Sequence, residues 1–77
     1  MESIHLRIEK KGRRGKIVTI IEGFTGRPDR IEELAREIKI KCGTGGTLKN
    51  NSIEIQGDFR KRISEFLTEN GFLVKGF

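Results

Sequence analysis

Few side chains in this 77-residue chain could carry out nucleophilic or acid–base chemistry: it holds one His, one Cys, no Tyr and no Trp. His5 falls on the polar side of an alternating N-terminal stretch, and Cys42 on the apolar stripe of a helical pattern. No motif joins them, and each has an ordinary structural explanation, as a surface strand residue and a small buried hydrophobe. The acidic residues fall mostly into helical i,i+4 pairs such as Glu32/Arg36 and Glu37/Lys41, not into an acid–base constellation. A single cysteine leaves no internal disulfide and no cysteine metal cluster. The expectation is a protein that is not an enzyme and uses no cofactor and no metal.

The basic residues are more informative. Lys and Arg number 16 against 11 Asp and Glu, a net charge of +5. Residues 7–16, RIEKKGRRGK, hold Arg7, Lys10, Lys11, Arg13, Arg14 and Lys16 against Glu9, so this segment carries the whole excess and the rest of the chain is balanced. A neutral protein with one basic finger points to a polyanion partner. Arg13 and Arg14 can grip phosphate bidentately, while Lys10, Lys11 and Lys16 act as point charges. Neutralising about four phosphates gives a slope of about −3 to −4 in log K against log salt. Gly12-Arg13-Arg14-Gly15 has the GxxG form of a KH loop, but that loop joins two helices and this one joins two strands. Cys42-Gly43-Thr44-Gly45-Gly46-Thr47 is glycine-rich, yet it follows a helix instead of opening one. The helix end facing it is the negative one, so it reads as a stop and a turn, not as a phosphate cradle.

The elements that must position these charges follow from periodicity. Residues 3–9 alternate, with Ile4, Leu6 and Ile8 on one face and His5, Arg7 and Glu9 on the other, the pattern of a half-buried strand. Residues 11–16 read as a loop and residues 17–22, IVTIIE, as a strand near the middle of a sheet. The basic cluster therefore sits at the tip of a hairpin. Asp29 is the expected N-cap of a helix, with Glu32 as its capping-box partner. Ile31, Leu34, Ala35, Ile38 and Cys42 form its apolar stripe, and Gly43 its stop. Residues 47–49 and 53–56 read as short strands around an Asn50-Asn51 turn. Asp58 caps a second helix with a stripe of Phe59, Ile63, Phe66 and Leu67, which Asn70-Gly71 ends, and residues 72–75 read as a last strand.

The order ββαββαβ, with two one-sided helices, predicts an α+β two-layer sandwich: both helices on one face of the sheet, the other face open. One domain, 1–77, accounts for a chain this short. Without its first strand the order is that of an RRM, which stacks bases on aromatics of its central strands. The candidate strand 53–56 has none, and Phe24, Phe59, Phe66, Phe72 and Phe77 fall elsewhere, so binding by charge and shape is expected. No apolar run approaches the roughly 20 residues of a membrane span, and the first residues carry no apolar leader. No membrane association, a cytoplasmic location and a monomer are expected.

Three segments carry a resemblance. Lys16-Ile17-Val18-Thr19-Ile20-Ile21-Glu22-Gly23-Phe24, then Lys41-Cys42-Gly43-Thr44-Gly45-Gly46-Thr47, then Ile53-Glu54-Ile55-Gln56-Gly57-Asp58 resemble the family of eukaryotic translation initiation factor 1 and its bacterial YciH-like and archaeal relatives. The basic hairpin before them and Gly71-Phe72 after them also fit, so the resemblance covers nearly the whole chain. It implies a five-stranded mixed sheet with two helices on one side. Eukaryotic and archaeal members bind the small ribosomal subunit near the P site and help discriminate the start codon and the initiator tRNA. The resemblance therefore implies the small subunit and its rRNA as partner, with initiator tRNA and other initiation factors beside it. It turns Lys10, Lys11, Arg13, Arg14 and Lys16 toward rRNA and the decoding site. It adds Arg36, Lys39 and Lys41 on the first helix as rRNA contacts, and Lys49 and Asn50 on the second hairpin as tRNA contacts. The implied mechanism is occupancy, in which binding that favours an open over a closed complex performs the selection.

There are departures from the family. The longer N-terminal tail of eukaryotic and many archaeal members, and the cysteine-rich extension of some archaeal ones, have no counterpart, and Asn50-Asn51 stands where prokaryotic members have Asp-Gly. The compact form is most similar to the bacterial branch, where a regulator or stress-time inhibitor of translation is the alternative role. A second reading from the residues is a general RNA-binding or protein-interaction module that uses the open sheet face, with His5, Arg7, Glu54 or Gln56.

Overall fold

The alternating segment forms β1 (Ser3–Lys11) and the β-branched run forms β2 (Lys16–Glu22), paired antiparallel from His5↔Glu22 out to Lys11↔Lys16. The computed structural model describes residues 3–12 and 15–76, with Lys11 as backbone only; Arg13, Arg14 and Phe77 lie outside the described residues. After β2 come α1 (Pro28–Cys42), the hairpin of β3 (Gly46–Lys49) and β4 (Ser52–Gln56), then α2 (Arg60–Glu69) and β5 (Leu73–Lys75). The spatial order is β3-β4-β2-β1-β5, so β2 is the central strand, as its apolar run requires. Only β5 is parallel to its neighbour, β1, which makes the sheet mixed. The architecture is the anticipated α+β sandwich of five strands and two helices.

Register sorts the two faces. Ile4, Leu6, Ile21, Ile53 and Ile55 share one side, where they pack on Ile31, Leu34, Ala35, Ile38 and Cys42 of α1 and Ile63, Phe66 and Leu67 of α2. Phe24 joins this core from the connection after β2 and meets Phe72 edge-to-face at 5.8 Å. His5, Arg7, Glu54 and Gln56 share the opposite, open side. Ile20 also lies there, yet it is only 3% exposed, because the long side chains of Arg7 and Glu54 flank it in register.

One polar side chain is fully buried beside the isoleucines. The Thr19 hydroxyl donates to the Gly57 carbonyl at 2.6 Å and accepts from the Phe59 amide at 3.0 Å. It thus fastens the β4–α2 connection to the central strand and satisfies two backbone groups that would otherwise lack partners.

Both helices begin slightly away from the expected caps. Arg27 is the N-cap of α1 and Pro28 its first residue, since proline's fixed φ and missing N–H suit that position. Asp29 lies inside the first turn, its carboxylate 3.4 Å from Arg27 Nε. Phe59 is the N-cap of α2, and Asp58 precedes it. Gly43 does stop α1, at φ 64, with its N–H on the Lys39 and Ile40 carbonyls. Neither Glu32/Arg36 nor Glu37/Lys41 closes into an ion pair; α1 pairs Arg30 with Glu33 at 3.4 Å.

Candidate nucleic-acid interface

The basic segment is mostly strand, not loop. β1 runs on through Lys11 and β2 starts at Lys16. The ladder to β4 ends at Val18↔Gln56, and β5 reaches only Ser3–His5. The rungs Lys10↔Ile17 and Lys11↔Lys16 therefore have no neighbouring strand and extend from the sheet as a two-stranded ribbon. Alternation puts Lys10 and Ile17 on the helix-bearing side and Lys16 on the open side, so the ribbon carries charge on both faces. At its tip the Gly15 amide donates to the Gly12 carbonyl at 3.1 Å, and both glycines have positive φ. Arg13 and Arg14 occupy the two positions between them, outside the described residues.

The helices bring further cations to this end of the sheet. α1 runs toward it, because Gly45, just past its C-terminus, accepts from Gln56, the residue opposite Val18. α2 starts there, because the Gly57 amide donates to the Ile17 carbonyl at 2.8 Å. The C-terminus of α1 and the N-terminus of α2 thus lie side by side, joined by Arg62 Nη1 donating to the Lys41 carbonyl at 3.2 Å. The Lys41 ammonium sits 5.6 Å from the centre of the Phe66 ring. Arg36 and Lys39 lie on the other flank of α1, where they line a recess with Glu32, Ala35 and Leu48 of β3.

Sequence reasoning missed Arg60-Lys61-Arg62. This triplet forms the first turn of α2, which has no acidic residue. Cations there oppose the helix dipole, whereas Lys39 and Lys41 in the last turn of α1 complement it. That contrast was a readable signal: Arg60 and Arg62 have intramolecular partners in Asp58 and the Lys41 carbonyl, but the dipole gives Lys61 no stabilising reason to stand there. Arg60 is occupied, since its Nε and Nη2 donate to Asp58 at 3.0 and 3.1 Å and hold that carboxyl below the usual range. Cys42 is 7% exposed, and burial pushes its thiol up, so it behaves as a neutral core residue.

Lys49 and Asn50 are not part of this cluster. β4 is antiparallel to β2, so the turn before Ser52 lies at the Glu22 end of the sheet, about 20 Å along β2 from Lys16. Asn50 and Asn51 take φ 49 and 64, the left-handed values a tight hairpin turn needs. On the open face Arg7 is bound on both sides, Nη1 to Glu9 at 2.6 Å and Nε to Glu22 at 2.7 Å. Among the described residues, no group of three His, Cys, Asp or Glu is placed to hold a metal ion, and no helix is long and apolar enough to cross a membrane.

Comparison with known proteins returns a consistent set. Residues 1–73 match the family model described as translation initiation factor SUI1. The chain is 46% identical over 69 residues to a protein translation factor SUI1 homolog of Sulfurisphaera tokodaii, covering 90% of this chain and 68% of that protein. It is 49% identical over 69 residues to the homolog of Hyperthermus butylicus, covering 90% of this chain and 66% of that one. Against the Methanocaldococcus jannaschii homolog the identity is 50% over 62 residues, 80% of this chain and 60% of the relative. The chain thus spans roughly two thirds of the length of these relatives.

Proposed function

The chain belongs to the SUI1 family of translation initiation factors, and from that premise we propose that it binds the small ribosomal subunit near the P site and acts in start-codon and initiator-tRNA discrimination. The family is not an enzyme class, and the proposed mechanism is occupancy. The observation that supports it is the convergence of cations at one end of the sheet. The ribbon brings Lys10 and Lys16 and the backbone of Lys11 there, Arg13 and Arg14 follow between Gly12 and Gly15 in the sequence, and α1 adds Lys39 and Lys41. A ribbon two residues clear of its neighbours can enter an rRNA groove without its body colliding, while the helix lysines meet phosphates at the rim. Arg36 extends this contact along α1. Lys49 and Asn50, at the far end, are left for a different partner, and initiator tRNA is the one proposed.

Binding free energy spent on the open complex disfavours the closed one, so a mispaired initiator complex is released before it matures. The open sheet face is not favoured as the nucleic-acid site, because the charge of Arg7 is already spent on Glu9 and Glu22. Co-sedimentation with purified small subunits at about 100 mM and about 300 mM salt tests the proposal. Salt-sensitive binding that Arg13→Ala/Arg14→Ala abolishes supports it. A wild-type protein that stays in the supernatant at the lower salt removes it.

A further inference from the structure

We propose that the first turn of α2, through Lys61 and Arg62, forms a second wall of the RNA-binding surface, and that an RNA backbone crosses the corner between this turn and the ribbon. The inference rests on the ribosomal reading above and adds residues to it.

The corner is built by three hydrogen bonds. Thr19 Oγ1 holds the Gly57 carbonyl and the Phe59 amide, and the Gly57 amide donates to the Ile17 carbonyl. They fix the start of α2 at the root of the ribbon. At the same rung, Ile17 and Lys10 share the side of the sheet that bears the helices. Ile17 is 42% exposed, although it continues the core face of β2, because the ribbon has outrun the helices there. It gives a ribose or base edge an apolar surface between two basic walls.

Of the triplet, Arg60 is committed to Asp58, but the other two are available. Lys61 is exposed, and no ion pair to it is found among the described residues. Arg62 is exposed and uses Nη1 on the Lys41 carbonyl, so its remaining N–H groups are free to meet an anion. Both line an open recess of about 420 Å³ with Asp58, Phe59 and Glu65. Asp58 does not cancel the wall, since Arg60 neutralises it. Glu65 lines the same recess one helical turn along α2, so two cations face one unneutralised carboxylate there. Acidic residues would suit this turn of α2 better, so Lys61 and the remaining N–H groups of Arg62 point to a partner outside the chain, and a phosphate chain is the partner their charge fits.

The test is equilibrium binding of the full chain to purified small subunits across a salt series. Lys61 has no ion pair or side-chain hydrogen bond to lose among the described residues, so Lys61→Ala keeps the wild-type melting temperature and weakens binding by roughly three- to fivefold. Lys61→Ala/Arg62→Ala weakens it by about tenfold and makes the salt slope shallower by about 1.5. Lys75→Ala, on the edge strand at the other end of the sheet, binds within twofold of wild type, a factor of about 2 marking the noise of such titrations. Wild-type binding with both α2 variants unchanged overturns this inference and leaves the ribosomal reading standing. An equal loss in Lys75→Ala also overturns it, because net charge alone would then explain the effect. A wild type that does not bind overturns the ribosomal reading itself and the inference with it.

Discussion

The two hairpins of this sheet follow one plan and differ in nearly every property that matters for binding. Both reverse the chain with residues in the left-handed region, Gly12 and Gly15 in the first, Asn50 and Asn51 in the second. The first outruns its neighbours by two rungs, carries lysine on both faces, and has α1 ending and α2 starting beside its root. The second is a four-residue strand and a five-residue strand with a single lysine beside its turn, about 20 Å away. Local turn chemistry makes a hairpin; what lies next to it makes a surface. A charge in the first hairpin shares its end of the sheet with Lys39, Lys41, Lys61 and Arg62, whereas Lys49 lies about 20 Å from that end, beyond the Debye length of about 8 Å at physiological salt.

That comparison can be broken most directly by reversing charge at each end. Arg13→Glu/Arg14→Glu is expected to cost small-subunit affinity on the order of 100-fold at about 100 mM salt, and Lys49→Glu no more than about threefold. Equal losses in a side-by-side titration would abolish the distinction between the ends. Thr19→Val sharpens it from within the fold. The substitution leaves the Gly57 carbonyl and the Phe59 amide without their partner, at a cost of about 2 kcal/mol. The urea midpoint should fall with the m-value unchanged, and subunit affinity should fall as well, because the α2 turn is no longer held at the ribbon. Unchanged affinity in the folded variant would separate α2 from the site. The smallest effect is expected at the second turn. Asn51→Gly keeps the left-handed conformation that Asn51 already adopts at φ 64, and should move stability by no more than about 0.5 kcal/mol and leave subunit binding alone.

Most of the fold was legible because its signals are local. The alternation of Ile4, Leu6 and Ile8, the stripe from Ile31 to Cys42 and the stop at Gly43 each appear where periodicity put them. The helix starts were off by one or two residues, because Pro28 at the first helical position competes with Asp29 as a signal and Asp58, one residue ahead of the N-cap, takes the Arg60 guanidinium as well as the Arg60 amide. Half of the candidate site was legible for the same reason: a run of six cations in ten residues needs no fold to be seen. The other half was hidden by arithmetic. The remaining residues sum to zero along the chain, so Arg60-Lys61-Arg62 drew no notice, and only the antiparallel packing of α1 against α2 shows that those charges share an end with Lys39 and Lys41.

The sequence by itself determined the order and type of the elements, the buried faces and the one dense basic segment, since these depend on side-chain period and turn chemistry within a few residues. The tertiary structure alone decided which cations meet. Charge acts through space and is screened within several ångströms, so the cations of the otherwise balanced remainder join the basic segment at one end only once the sheet order and the helix directions are set. It also decided the task of Thr19, which the strand pattern counts as one more β-branched residue and the fold uses as the fastening between its central strand and its second helix.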